Sequence, residues 1–446
     1  MVSPPVPPES PPVVTASARP GVLGVLGSQA PPGLAAALAS AALASSSSAV
    51  AASSSAAALP ASVASATSKP EAEPPPPPKL TPYVGPLLTF YDALRDLEAG
   101  RRKKPVRVMW LGDSHAQADF WTGELRRGLQ ARFGDAGPGF VHLGFKAYRH
   151  NGIRFDIGGK WRMRPKAPST SRRWGDGAFG LGGILHAGFA GMRHARMEMR
   201  GTQWAKTPVV IDLCYKFGLP YDRVRLFVNG KARSILEPKD KSDVSVIRHL
   251  RFSLSGLESI EVRQLSGRTD FCGVVVEAQP KSRNGVVLDN LGINGARYGT
   301  ALAWEGVAWA KEVMRRTPEL FIFEYGGNEA SDIPPRPALY QRQAIKLIRR
   351  SRYIRRDVSC VVIGPSDRAD AEDRIPPIVE AVRTAAEQEG CMFWDTYAKM
   401  GGKGSLRSWR DDGRASEDGV HLKPKGYVEL GRWLFRDLMA DYRGER

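Results

Sequence analysis

The first 80 residues contain no aromatic side chain and only six charges, Glu9, Arg19, Lys69, Glu71, Glu73 and Lys79, which cancel. Ala, Ser and Pro dominate there, ending in the run Pro74 to Pro78. Such a stretch cannot bury enough apolar surface to offset chain entropy, so residues 1–80 are expected as a disordered tail with a stiff proline end. Cysteine is also scarce. Cys214, Cys272, Cys360 and Cys391 show no CxxC and no ligand-like spacing. Each lies in an apolar, strand-like run and is expected as a small core residue rather than a metal ligand, although Cys214 and Cys272 could pair within one domain. No run of 18 strongly apolar residues occurs, so no transmembrane segment is expected. Gly33 to Ala44 resembles a weak signal-peptide core, but its one upstream positive charge, Arg19, is far away, which leaves export open.

What is abundant is positive charge. The 446 residues carry a net +18, and all of it falls on residues 81–446. A chain of this length has room for two or three domains. The basic residues are spread out, with one dense patch from Lys346 to Arg356 on an expected helix. That patch reads either as a solvated arginine-rich surface or as attraction to an anionic polymer: nucleic acid, wall polysaccharide or lipid headgroup. A dispersed distribution favours the solvated surface, and no nucleic-acid partner is expected.

Hydrophobic periodicity divides the remainder. Leu87, Leu88, Tyr91, Leu94 and Leu97 are spaced as in a helix within 80–100. Val106 to Leu111 is a short apolar run that suits a buried strand, and Ala116 to Phe133 suits a helix. Between about 140 and 285 the pattern turns to short strands with frequent turns, including a hairpin signal at Asn229-Gly230, which favours an inserted β-sandwich. Strands and helices then alternate again. Strands are expected at Val286–Leu291, Leu320–Tyr325, Val358–Ile363 and Met392–Trp394. Helices are expected at 297–315, 338–354, 378–389 and 426–439. Such alternation implies a parallel sheet between helices, with any site at the carboxyl ends of the strands.

Four turns fall at such ends or ahead of the last helix. They are Gly112-Asp113-Ser114-His115, Gly292-Ile293-Asn294-Gly295-Ala296, Tyr325-Gly326-Gly327-Asn328-Glu329 and Asp418-Gly419-Val420-His421-Leu422. A serine between a buried strand and a helix sits near free helical N–H groups, a place that suits a nucleophile whose attack creates an oxyanion. Individually each turn has a plainer explanation. Asp and Ser favour turns and caps, Asn328 could cap a helix, Asp418 could be a loop acid, and His421 a packed imidazole.

Together, in this order, the four blocks resemble those of the SGNH (GDSL-type) hydrolase superfamily, and in finer detail the peptidoglycan O-acetylesterase branch with its inserted β-sandwich. The resemblance covers about 83–139 and 286–446. Gly327 departs from the threonine expected there, and the N-terminal tail has no counterpart. The resemblance implies an α/β fold: a parallel-sheet, flavodoxin-like hydrolase domain in two segments, 81–139 and 286–446, interrupted by a carbohydrate-binding-like sandwich at 140–285. It implies that Ser114 is the nucleophile, His421 the base and Asp418 its orienter. The oxyanion hole would comprise the N–H groups of Ser114 and Gly295 and the Asn328 amide. No metal or other cofactor is required. The implied activity is removal of O-acetyl groups from a cell-wall or extracellular polysaccharide, in a periplasmic or extracellular setting. An esterase or acyltransferase of another acyl group, or a non-catalytic glycan binder, would also carry these features. Trp161, Trp174 and Trp204 are candidate sugar-stacking residues of the sandwich.

Overall fold

The computed structural model describes residues 85–445 except 147, 192 and 354. The expected tail and the signal-like run Gly33 to Ala44 lie outside the described residues.

Strand β1, Val106–Gly112, explains how the fold is layered. Its side chains alternate between two cores. Val106, Val108 and Trp110 pack with the helices Leu88–Glu98, Trp121–Phe133 and Pro424–Tyr442. Met109 and Leu111 pack with Trp309 and Val313 of helix Gly306–Arg316, Leu347 of Pro337–Arg352 and Val382 of Ile375–Gln388. A strand covered on both faces reads as a continuous apolar run, which is why this segment stands out in the sequence. It pairs in parallel with β13 (Val286–Gly292) on one side and β14 (Leu320–Glu324) on the other. β15 (Ser359–Ile363) and β16 (Met392–Trp394) complete the order β13-β1-β14-β15-β16. Taken as five successive sheet strands, this is the doubly wound order 2-1-3-4-5, whose switch point lies beside its first strand.

Between β1 and β13 the chain forms two antiparallel sheets. One has the order β10 (Ile247–Leu254), β7 (Val209–Phe217), β12 (Arg268–Ala278), β5 (Leu185–Phe189), β4 (Trp161–Arg164), with β2 (Gly139–Val141) paired to β12, and the other the order β3 (Ile153–Gly158), β6 (Arg193–Met199), β11 (Ser259–Ser266), β8 (Arg223–Val228), β9 (Lys231–Leu236). Their inner faces share one core, in which Ile211, Leu213 and Val274 of the first sheet meet Ala195, Leu226 and Val262 of the second. The first sheet also packs against the α/β layer, through Phe140, Cys214 and Cys272. The described residues accordingly cluster as one compact unit.

The expected helix 116–133 is two helices, Ser114–Gln117 and Trp121–Phe133, broken at Asp119, which has φ 53°. The buried Asp119 carboxylate accepts from Thr122, Arg126 and the Asn151 N–H, so local hydrogen bonds hold it out of helical geometry. The expected helix 297–315 is likewise divided into Tyr298–Leu302 and Gly306–Arg316, because Glu305 caps the second through Val307 and Ala308 N–H. The cysteines depart further from expectation. Besides Cys214–Cys272, Cys360 and Cys391 form a disulfide. Val361 and Met392 are partners in the β15–β16 register, so the preceding residues stand face to face.

Candidate active site

Gly112, Gly292 and Glu324 lie side by side in one row across β13, β1 and β14. Ser114, Gly295 and Asn328 follow that row by two, three and four residues, so three separate turns converge on one sheet edge. Ser114 opens the short helix Ser114–Gln117, and Asp113 caps it by accepting the His115 N–H at 2.9 Å. Gly295 has φ +74°, a left-handed conformation that glycine adopts without strain. Among the described residues neither the Ser114 nor the Gly295 N–H has an acceptor.

Ser114 Oγ lies 2.8 Å from His421 Nε2, and His421 Nδ1 lies 2.8 Å from Asp418 Oδ2. Asp418 also builds the turn that presents the imidazole: its Oδ1 accepts the N–H groups of Val420 and His421, each at 2.9 Å. Burial alone would raise the Asp418 carboxyl, but these hydrogen bonds outweigh it and hold the group well below the ordinary carboxylate range. The loop is tied down by the bridge between Ala415 and Leu422 and by Ser416 N–H donating to the His421 carbonyl at 2.8 Å. The His421 and Asp418 side chains remain 26% and 32% exposed, so the site is open to solvent. This is the geometry in which an imidazole can take a serine proton while a carboxylate fixes its tautomer.

Asn328 is in place but is not a cap. It precedes the one-turn helix Glu329–Ser331 without any side-chain cap hydrogen bond. Its Nδ2 instead donates to Ala296 O at 2.9 Å and to Asp113 Oδ2 at 3.1 Å. To serve an oxyanion, one of these bonds must be exchanged for the developing charge. At Gly327 an added Cβ would lie 3.6 Å from Asp113 Oδ2, ordinary contact distance, so the departure from threonine costs the site no space. The Gly327 carbonyl is held by Arg368 at 2.6 Å.

The sequence reading assigned no role to the acids around this edge. Asp113, Glu324 and Glu329 are all buried beneath it. Burial raises Asp113 to about 6, against a hydrogen bond from the His115 N–H. Glu324 is pushed well above its ordinary value by burial and by Asp113. Burial also raises Glu329 to about 7, where its carboxylate accepts the N–H groups of Tyr298 and Gly326. Both glutamates flank the Gly-Gly-Asn turn in sequence, and that flanking was the available signal. His115 also sits close, its ring centroid 5.3 Å from that of His421, with Tyr427 OH 2.9 Å from its Nδ1. Burial lowers it to about 3, so it stays neutral.

Of the three tryptophans, Trp204 is buried in the sandwich core and Trp161 donates its Nε1–H to Gly158 and His194 carbonyls. The Trp204 ring fills the sandwich core, and the Trp161 ring, partly buried, packs against it. Trp174 alone is exposed, at 39%. In the basic patch 346–356, Arg350 donates to the Ala301 and Trp304 carbonyls and Arg352 to the Glu389 carbonyl, while Lys346, Arg349 and Arg356 are exposed. The group Cys214, His249 and Glu312 has metal-ligand proximity, but the Cys214 sulfur is committed to its disulfide.

Sheet order, strand-end turns and inserted sandwich are those of the SGNH hydrolase fold. Residues 265–428 match the GDSL-like lipase/acylhydrolase family, a segment that holds Gly295, Asn328, Asp418 and His421 but not Ser114, which the sandwich separates from it. A solved peptidoglycan O-acetylesterase structure superposes with a TM-score of 0.66 at 23% identity, over 80% of this chain and 96% of its own. A match of that extent takes in both the parallel sheet and the sandwich, and the chain resembles that branch of the superfamily. A lipase/acylhydrolase from Enterococcus faecalis is 20% identical over 36% of this chain and 77% of its own, with a TM-score of 0.29. A family two carbohydrate esterase from Clostridium thermocellum is 10% identical over 57% and 93%, with a TM-score of 0.27. No curated protein matches the sequence.

Proposed function

We propose that this protein is a serine esterase that removes O-acetyl groups from a cell-wall or extracellular polysaccharide. The observation that carries the reading is the relay Ser114–His421–Asp418, with both links at 2.8 Å on an open sheet edge. Ser114 Oγ attacks the ester carbonyl carbon as its proton passes to His421 Nε2. Asp418 stabilises the resulting imidazolium. The Ser114 and Gly295 N–H groups, joined by the Asn328 amide, receive the oxyanion. When the tetrahedral intermediate collapses, the bond to the sugar oxygen breaks and His421 returns the proton to that oxygen. A water then attacks the acyl-serine, giving up a proton to His421. Acetate departs as Ser114 Oγ takes the proton back.

Solvent exposure at His421 supports water as the acyl acceptor, since transfer to a sugar hydroxyl requires water to be kept out. Two disulfides support a location outside the reducing cytosol. No helix among the described residues is long and apolar enough to cross a membrane. The test is acetate release from a panel of O-acetylated polysaccharides, beside p-nitrophenyl acetate hydrolysis. Turnover of the small ester and of at least one glycan is expected. A folded protein that hydrolyses none of them would be a binder rather than an enzyme.

A further inference from the structure

Residues 165–177, between β4 (Trp161–Arg164) and β5 (Leu185–Phe189), leave the sandwich and run to the catalytic edge. Ser169 lies against Gly295: a Cβ added there would meet Ser169 Cβ at 3.3 Å. The Ser169 carbonyl accepts the Thr300 hydroxyl at 2.7 Å. On the sandwich side, the same loop walls an open groove of about 590 Å³ lined by Arg162, Met163, Arg164, Lys166, Trp174 and Phe189. At a maximum of about 3.6 Å per residue, Lys166 and Trp174 lie within ~11 and ~18 Å of Ser169. The groove therefore opens within a few sugar lengths of the candidate oxyanion glycine.

Its chemistry is specific. The Arg164 guanidinium stands 4.9 Å from the Trp174 ring, and the Arg162 guanidinium 5.0 Å from the Phe189 ring. A guanidinium stacked on a ring is held in orientation while its N–H edge remains free for carboxylates. Among the described residues Arg162 and Lys166 have no carboxylate within ion-pair distance, and Arg164 reaches only Asp270, at 3.5 Å. A neutral glycan would leave these cations unused. We propose that this groove binds a carboxylate-bearing glycan strand, with Trp174 as its exposed apolar surface and Arg162, Arg164 and Lys166 as the carboxylate partners. A strand seated there would lead its ester groups toward Ser114. In that respect the proposal rests on the esterase reading, although binding itself can be measured without it.

The test is affinity electrophoresis of the full chain in gels containing polygalacturonate, an uncharged hydroxyethyl cellulose, or oligothymidylate, with p-nitrophenyl acetate assays on the same preparations. Polygalacturonate should retard the protein most. Trp174→Ala, which leaves the charge unchanged, should weaken that binding about tenfold, the loss of one stacked aromatic partner. The double variant Arg162→Ala/Lys166→Ala should weaken it further. Lys103→Ala/Lys104→Ala, with the same charge loss away from the groove, should not. Small-ester turnover should be the same in all of them. If Trp174→Ala binds as tightly as the parent, or the two double variants lose affinity equally, retention is bulk charge and the proposal fails. Oligothymidylate binding tighter, through the same residues, would make the groove a nucleic-acid surface and overturn it too. If groove-dependent retention occurs without any ester hydrolysis, the groove stands and the esterase reading falls.

Discussion

A Cβ on Gly112 would lie 2.6 Å from Glu324 Oε2 and 2.6 Å from Ala116 Cβ. The glycine before Asp113 is therefore required by a buried acid on the neighbouring strand as much as by the turn. The same Glu324 oxygen accepts the Asp113 N–H at 3.3 Å, so any shift of Glu324 is felt next to the nucleophile. Gly112→Ala is expected to lower stability by about 1–3 kcal/mol, the range for overpacking a filled core, and to reduce kcat disproportionately. Denaturant unfolding beside steady-state kinetics measures both. A variant of normal stability and turnover would show that Glu324 can move freely.

Ser114→Ala should abolish turnover and leave the melting temperature unchanged. The side chain is only partly buried and its hydroxyl bonds His421 alone. The rate left over water is the roughly 10³–10⁴-fold supplied by binding and the oxyanion hole. Retained esterase activity in a folded Ser114→Ala protein would dismiss the relay.

Asn328→Ala should lower kcat by about 10²–10³ with little change in KM, the effect of removing one oxyanion donor. Because Nδ2 also serves the buried Asp113, a stability loss of about 1–3 kcal/mol should accompany it. Kinetics on p-nitrophenyl acetate separate the two effects. A stability loss with unchanged kcat would make Asn328 a brace for Asp113 and leave the oxyanion to the backbone N–H groups.

The half-buried His249 lies between Asp212, 2.9 Å from Nδ1, and Glu312, 3.1 Å from Nε2, where the first sandwich sheet meets helix Gly306–Arg316. Burial opposes its charge, but the two carboxylates prevail and raise it from 6.5 to about 9. The unfolded chain releases this proton near pH 6.5, the folded one near 9. The stabilisation is thus complete below 6.5, fades between 6.5 and 9, and is absent above. Unfolding free energy followed from pH 6 to 10 should fall across that window in the parent and stay flatter in His249→Gln. Parallel curves would assign the pH dependence to other groups.

Reducing the protein should lower its melting temperature. Cys360–Cys391 closes 31 residues of chain, and loss of such a link costs about 2–4 kcal/mol. Cys360→Ala/Cys391→Ala should reproduce that part of the drop, read by thermal unfolding with and without reductant. A double variant as stable as the oxidised parent would count against it.

Contiguous residues carry much of the fold and of the candidate site. Val106 to Leu111 reads as a strand because both faces are buried and no polar residue interrupts the run except Arg107, which stays in register opposite Val287 while its side chain pairs with Glu277. Ser114, Gly295 and Asn328 are legible as strand-end residues because the turns after β1, β13 and β14 announce themselves with glycine. The sandwich is legible from its short strands and the Asn229-Gly230 turn. Tertiary structure alone decided which distant residues meet. Nothing local tells Cys360 that Cys391 will stand opposite it, or separates Trp174, left on the surface, from Trp204 in the core. Nor does the sequence show that Glu324 and Asp113 share a buried corner or that the 165–177 loop reaches Gly295. Strand and turn propensities act within a few residues. Burial, ion pairing and raised carboxyl groups depend on contacts between segments that only the completed packing brings together.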